Sequence, residues 1–155
     1  MNESLKAYME KIGCTIDELG RQLNASVKIK LPQAKVVWRQ KEENALLKKM
    51  SWYKTTNVFT IQDVYAFRVI VENENDVYIA LSAIEDIARG HLKHDYIANP
   101  LRRNEDDQVS VRMLIFVARQ NGVVYEIQIT TEAFNVVNES LHDAYHRRKY
   151  GPELL

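Results

Sequence analysis

Val124-Tyr-Glu-Ile-Gln-Ile-Thr-Thr131 alternates in a way that could do chemistry. On a strand, Glu126, Gln128 and Thr130 share one face, and Tyr125, Ile127 and Ile129 the other. Asp63 opens a second β-rich run, Val64 to Val71, which contains Arg68. A carboxylate at a strand end, near another on a neighbouring strand, can hold a magnesium ion that bridges phosphates. A third segment, Trp38 to Met50, places Lys41, Ala45 and Lys48 near one helical face, with Lys49 one position round. Cations grouped there could clamp a triphosphate. Each segment also has a plainer reading. The alternation suits a strand with one wet face, Asp63 and Arg68 suit loop and surface positions, and the lysines suit a solvated helix.

His142 and His146 stand four residues apart near the end of the chain, a metal-ligand spacing on a helix. No H-E-x-x-H arrangement and no clear third ligand accompany them, so the nucleotide side or solvent is the simpler destination. Cys14 lies in an apolar segment and reads as packing.

These side chains need elements to hold them. Residues 3–12 and 16–23 have helical spacing and are punctuated by Gly13 and Gly20, which predicts a broken helix. Val27 to Leu31 and Lys35 to Trp38 read as short strands separated by Pro32. Residues 42–50 favour a helix. Val77, Leu81, Ile84 and Ala88 keep helical spacing, with Gly90 as the C′ residue. His94 to Ala98 reads as a strand ending near Pro100, and Leu101 to Gln108 as a loop. Val109 to Ala118 and Val123 to Thr130 form a hairpin across Arg-Gln-Asn-Gly. Glu132 to Tyr150 is helical, with Phe134, Val137, Leu141 and Tyr145 along one stripe. The expected class is α+β, a mixed β-sheet flanked by helices. The expected organisation is one domain over 1–155, with an N-terminal helical or extended segment at 1–34 and a core at 35–150.

Composition narrows the function. The 155 residues carry 21 Lys+Arg and 21 Asp+Glu, a net charge of zero that speaks against dedicated DNA binding. No apolar run is long enough to span a bilayer, and the charged start does not suit a signal peptide. One cysteine excludes a disulfide framework. A cytoplasmic protein is expected.

In order, the chain offers Arg39-Gln-Lys41 followed by Ala45, Leu46, Lys49 and Met50, then Asp63-Val-Tyr-Ala-Phe-Arg68, Asp95-Tyr-Ile-Ala-Asn-Pro100, and Glu126-Ile-Gln-Ile-Thr-Thr131. Asn135 follows. From about residue 35 to residue 150 this series resembles the RelA/SpoT synthetases and the small alarmone synthetases of the nucleotidyltransferase kind. The resemblance implies that Asp63 and Glu126 hold Mg2+ on the ATP phosphates. Arg39 and Arg68 would flank the adenine, and Lys41 and Lys49 would neutralise the triphosphate. Gln128 and Asn135 would line the acceptor side. The implied reaction moves the β,γ-pyrophosphate of ATP to a ribose 3′-hydroxyl and releases AMP, a step that rests on charge stabilisation.

The acceptor motif departs from the family. Where the family carries G-Y-x-S-x-H, this chain has Asp107-Gln-Val-Ser-Val-Arg112, so Gln108 replaces a stacking tyrosine and Arg112 a histidine. Thr130 replaces an arginine, Leu101 a lysine, and Ala45 a serine. Loss of a base stack costs roughly 1–3 kcal/mol. Arg102, Arg103 and Arg112 are suited to phosphates instead. The implied partners are ATP and a nucleotide or tRNA 3′-end acceptor, with a homo-oligomer as an option. The alternatives are a catalytically silent regulator that binds nucleotide or a partner protein, and a toxin-type pyrophosphokinase acting on tRNA.

Overall fold

In the computed structural model the described residues are 3–40, 43–54, 65–102, 110–120 and 122–150. The chain runs α1 (Glu3–Lys30), β1 (Lys35–Gln40), α2 (Glu43–Trp52), β2 (Tyr65–Val71), α3 (Glu74–Glu85), β3 (Gly90–Asp95), β4 (Leu114–Gln120), β5 (Val123–Thr131) and α4 (Glu132–Tyr150). The five strands form one sheet in the order β1-β2-β5-β4-β3. β2 and β5 are parallel, and the other neighbours are antiparallel. This is the expected mixed sheet with flanking helices. β5 occupies its centre.

One sheet face makes the core. Phe67 and Val69 of β2, Ile127 and Ile129 of β5, and Leu114 and Phe116 of β4 are buried there. They pack against Ile16, Leu19, Leu23 and Val27 of α1 and Val77, Ala80 and Ile84 of α3. The strict alternation of buried and half-buried residues along β2 leaves the second face for polar side chains. α4 attends that second face, and a smaller apolar cluster there joins Leu141 to Val111 and Met113.

Five local expectations are corrected. α1 is one continuous helix, not a broken one and not a helix followed by a strand at Val27 to Leu31. The spacing Ile16, Leu19, Leu23, Val27 carries the buried stripe straight through that stretch, and packing overrides the β-branched residues. Gly20 does not interrupt the helix because it serves packing. A Cβ there would lie 2.5 Å from the Trp38 ring, and the Trp38 indole N–H donates to Asp17 Oδ1 at 3.0 Å. Gly90 is not the C′ residue of α3 but the first residue of β3. A side chain there would collide with the Val117 carbonyl across the β3–β4 pair. β3 ends at Asp95 rather than running through Ala98, since Asp95 Oδ1 accepts from the Ile97 and Ala98 amides and turns the chain. β4 starts at Leu114, later than Val109, because the backbone at Arg112 is held by a side chain instead of a strand.

Candidate functional site

Strand register sets the rows of the site. Glu126 on β5 pairs with Ala66 on β2 and Val117 on β4, and Ala66 pairs with Arg39 on β1. The next row is Val37, Arg68, Gln128 and Ile115. Parallel pairing of β2 with β5 is what brings Arg68, 60 residues earlier in the chain, beside Gln128.

Side chains close the rows into a network. Arg68 Nε donates to Gln128 Oε1 at 2.9 Å, and Gln128 Nε2 donates to Glu126 Oε2 at 2.9 Å. Arg68 Nη1 donates to Asn135 Oδ1 at 3.0 Å and to Glu139 Oε1 at 3.1 Å. These bonds lie in the guanidinium plane, so they fix its tilt without using its faces. The Arg68 side chain is 22% exposed and that of Glu139 61%, so this ion pair bridges interior and solvent. β5 feeds into α4 without a loop, and Thr131 Oγ1 caps the helix by accepting from the Phe134 amide at 3.1 Å. That cap sets the rotation that turns Asn135, Asn138 and Glu139 to the sheet.

A second network fixes the segment that carries the divergent acceptor motif. Asn138 Oδ1 accepts from the Arg112 amide, and its Nδ2 donates to the Arg112 carbonyl, both at 2.9 Å. Thr130 Oγ1 donates to that carbonyl at 2.7 Å. The Arg112 guanidinium lies 4.6 Å above the Phe134 ring. Its Nη2 donates to Ile97 O at 2.8 Å and stands 3.7 Å from Glu74. Leu101 and Val111 exchange backbone bonds at 3.1 and 2.7 Å and close the neck of the intervening loop. Arg102 is exposed just inside that neck. Asp95 ties the loop base to α3 by accepting from the Tyr78 hydroxyl at 2.9 Å. Burial and that bond together raise the Tyr78 pKa.

The structure thus gathers Glu126, Gln128, Arg68 and Asn135 and places Arg112 behind them against Phe134. Lys49 sits on α2 with its Nζ 6.0 Å from the Tyr53 ring centroid. Asp63, Lys41, Arg103 and Gln108 lie outside the described residues, as do the side chains of Arg39, Ala45, Cys14 and His146. His142 Nδ1 is 4.0 Å from Asp143. Among the described residues, no three His, Cys, Asp or Glu side chains gather at metal-binding distance. Tyr125 is in the core, edge-on to Phe67 at 5.4 Å, whereas Tyr96 stacks on His94 at 4.9 Å. Asn138 and Glu139 are site residues that sequence reasoning did not assign. Their signal was the i, i+3, i+4 spacing from Asn135, visible only once α4 is known to face the sheet.

Comparisons with known proteins agree with this fold. A family model described as a region found in RelA / SpoT proteins matches residues 38–151. A guanosine-3′,5′-bis(diphosphate) 3′-pyrophosphohydrolase from Haemophilus influenzae is 30% identical over 144 residues, which is 88% of this chain and 20% of that protein. A protein of the same description from Vibrio cholerae is 33% identical over 101 residues, 64% of this chain and 14% of the relative. The chain therefore spans a fifth or less of the curated relatives it matches. Among solved structures, small alarmone synthetase 1 of Bacillus subtilis, bound to its product pppGpp, superposes with a TM-score of 0.72 at 18% identity, covering 96% of this chain and 83% of that one. A GTP pyrophosphokinase family protein of Streptococcus pneumoniae gives 0.73 at 19% identity, covering 98% and 81%. The same B. subtilis synthetase has been solved with AMPCPP, at a TM-score of 0.65 and 17% identity over 97% of this chain and 82% of that one. With the family model spanning most of the sheet and its flanking α4, the chain belongs to the RelA/SpoT family and has the fold of the small alarmone synthetases.

Proposed function

We propose that this chain transfers the β,γ-pyrophosphate of ATP to the 3′-hydroxyl of a nucleotide ribose. The acceptor hydroxyl oxygen bonds to Pβ and its proton passes to solvent, the bond from Pβ to the α-phosphate oxygen breaks, and AMP leaves with that oxygen. The observation that carries the reading is the continuous network from Glu126 through Gln128 to Arg68 and Asn135. It ties a carboxylate, a flat cation and two amides into one hydrogen-bonded patch on the sheet face opposite the main core. Preorganised polar groups of this kind are what phosphoryl transfer chiefly requires. The related synthetase structures holding pppGpp and AMPCPP support nucleotides on both sides of the reaction.

Glu126 and Asp63 are the residues that would hold magnesium. A carboxylate oxygen is the hard ligand that Mg2+ takes, and two carboxylates plus substrate phosphates suit it better than an all-protein cage. When bound, the ion would neutralise charge on the transferring phosphates. Arg68, oriented by its in-plane bonds, would stack on the adenine opposite Arg39, with Lys41 and Lys49 on the triphosphate. Gln128 and Asn135 would touch the acceptor. Because Arg68 bonds both of them, donor and acceptor sides share one hub.

The acceptor segment favours phosphate over base recognition. Tyr125 is buried and unavailable as a platform, and the motif tyrosine is Gln108. Arg102 and Arg103 would bind acceptor phosphates, and Arg112 would join them by exchanging Glu74. Purified protein with γ-labelled ATP, magnesium and a panel of GDP, GTP, ADP, ATP and bulk tRNA tests the reading. Labelled acceptor and stoichiometric AMP are expected, with GDP and ADP competing about equally and affinity falling steeply with salt. No transfer to any acceptor overturns the assignment. A salt-insensitive preference for guanine overturns the acceptor mode, and Gln108→Tyr is expected to create such a preference.

A further inference from the structure

The turn end of the β4–β5 hairpin holds a cleft of about 750 Å³ lined by Gln22, Ile87, Arg89, His91, Arg119 and Gln120. Its construction is specific. Gly90 lets β3 approach β4 so closely that any side chain would meet the Val117 carbonyl. The Arg119 amide donates to the Arg89 carbonyl at 2.9 Å, which sets the two arginines side by side on adjacent chain segments. Gly122, at φ 79°, turns the hairpin in the left-handed region, and a Cβ there would meet nothing within 4 Å, so that wall is open. The α1 wall is Gln22, whose amide nitrogen donates to Glu18 at 3.3 Å.

The charges are what set this cleft apart. Arg68 and Arg112 are committed to carboxylates and carbonyls. Among the described residues, neither Arg89 nor Arg119 has a side-chain hydrogen bond or ion pair. Two guanidiniums that line one cleft without a carboxylate partner repel each other, in a chain with enough acidic residues to pair every cation. A multiply charged anion would relieve that repulsion, and guanidinium forks match phosphate geometry. Among the described residues that line the cleft the one ring is His91, beside two arginines, so charge is the main thing the cleft offers a ligand.

We infer that Arg89 and Arg119 form a second anion site, which binds a polyphosphate chain, free or carried by a nucleotide, by its phosphates alone. The cleft lies toward the hairpin turn: Arg119 is two residues along β4 from Val117, the partner of Glu126, and the lining includes none of Glu126, Gln128, Arg68 or Asn135.

The test titrates the whole chain, without divalent metal, with inorganic pyrophosphate and tripolyphosphate, followed by calorimetry and by amide chemical shifts. One saturable site is expected, tighter for tripolyphosphate, with shifts concentrated at residues 87–91 and 119–122. Arg89→Gln and Arg119→Gln should each weaken binding by about tenfold, the usual scale for one charge-assisted contact. The double variant should abolish it. Both side chains are exposed, so melting midpoints should hold. Glu126→Gln should bind as the unmodified chain does, which separates failure of this site from failure of the transfer reading. ADP should bind no tighter than pyrophosphate, and clearly tighter binding of ADP would overturn recognition by the phosphates alone. No saturable binding, undiminished binding in the double variant, or shifts confined to the Arg68–Gln128 region would overturn it.

Discussion

Arg68 shows how one side chain ties a strand to a helix. Its Nε and Nη1 bond Gln128, Asn135 and Glu139, and its plane is thereby fixed before any ligand arrives. Arg68→Ala should weaken binding of AMPCPP with magnesium by calorimetry, and it should also impair the acceptor by releasing Gln128 and Asn135. Arg68→Lys keeps the charge without the fork or the flat face, so it should resemble the alanine variant. Recovery of donor affinity in the lysine variant would show that charge alone matters. For the carboxylates, Asp63→Ala and Glu126→Gln should each cut transfer by on the order of 10²–10³. Their circular dichroism should not change. Wild-type rates in both variants would remove the metal assignment.

At the scale of elements, two contacts decide how the helices meet the sheet. α1 reaches β1 by having no side chain at Gly20, where the Trp38 indole lies. Gly20→Ala would improve helix propensity in isolation yet force the indole aside. Overpacking of this kind costs about 1–3 kcal/mol, and a drop in melting temperature is the expected reading. A rise would mean that propensity outweighs the clash. α4 holds the acceptor segment through Asn138, which is 4% exposed and satisfies both backbone groups of Arg112. Asn138→Leu leaves the Arg112 amide unpartnered, while the carbonyl keeps Thr130 Oγ1, at about 1–3 kcal/mol for a buried group. It should raise the acceptor KM more than the ATP KM, because Arg112 and the loop neck move while Arg68 keeps its partners. Equal effects on both substrates would show the damage to be global.

For the whole molecule, the core itself limits the pH range. Tyr125 and Tyr65 are both buried, and desolvation raises their pKa values above 10.0, with the Asp17 charge adding to the shift at Tyr65. The fold therefore prefers the neutral phenols. That stability is fully present below the unfolded pKa near 10.0 and is lost as pH rises through the folded values. Melting temperature should stay level on this account up to about pH 10 and fall above it. Tyr125→Phe should flatten the alkaline fall, since one group no longer needs to ionise. An unchanged alkaline limb in that variant would assign the fall to other groups. No described helix is long and apolar enough to cross a membrane.

Pattern alone was enough for β2, β5, α4 and the polar face of Glu126, Gln128 and Thr130, because strand and helix periodicities are local and each repeats several times in its segment. The short motifs were likewise legible, and with them the family. Tertiary structure alone decided the rest. Parallel pairing of β2 with β5 sets Arg68 against Gln128 across 60 residues of chain, and no local signal encodes that register. Gly20 and Gly90 read as helix breakers in one dimension. In three dimensions they are points of close approach, to Trp38 and to Val117. Arg112 read as a cation suited to phosphates, and in the fold Phe134, Ile97 and Glu74 hold it. A side chain's partners come from whichever distant segments the fold delivers to it, and spacing along the chain carries no record of that delivery.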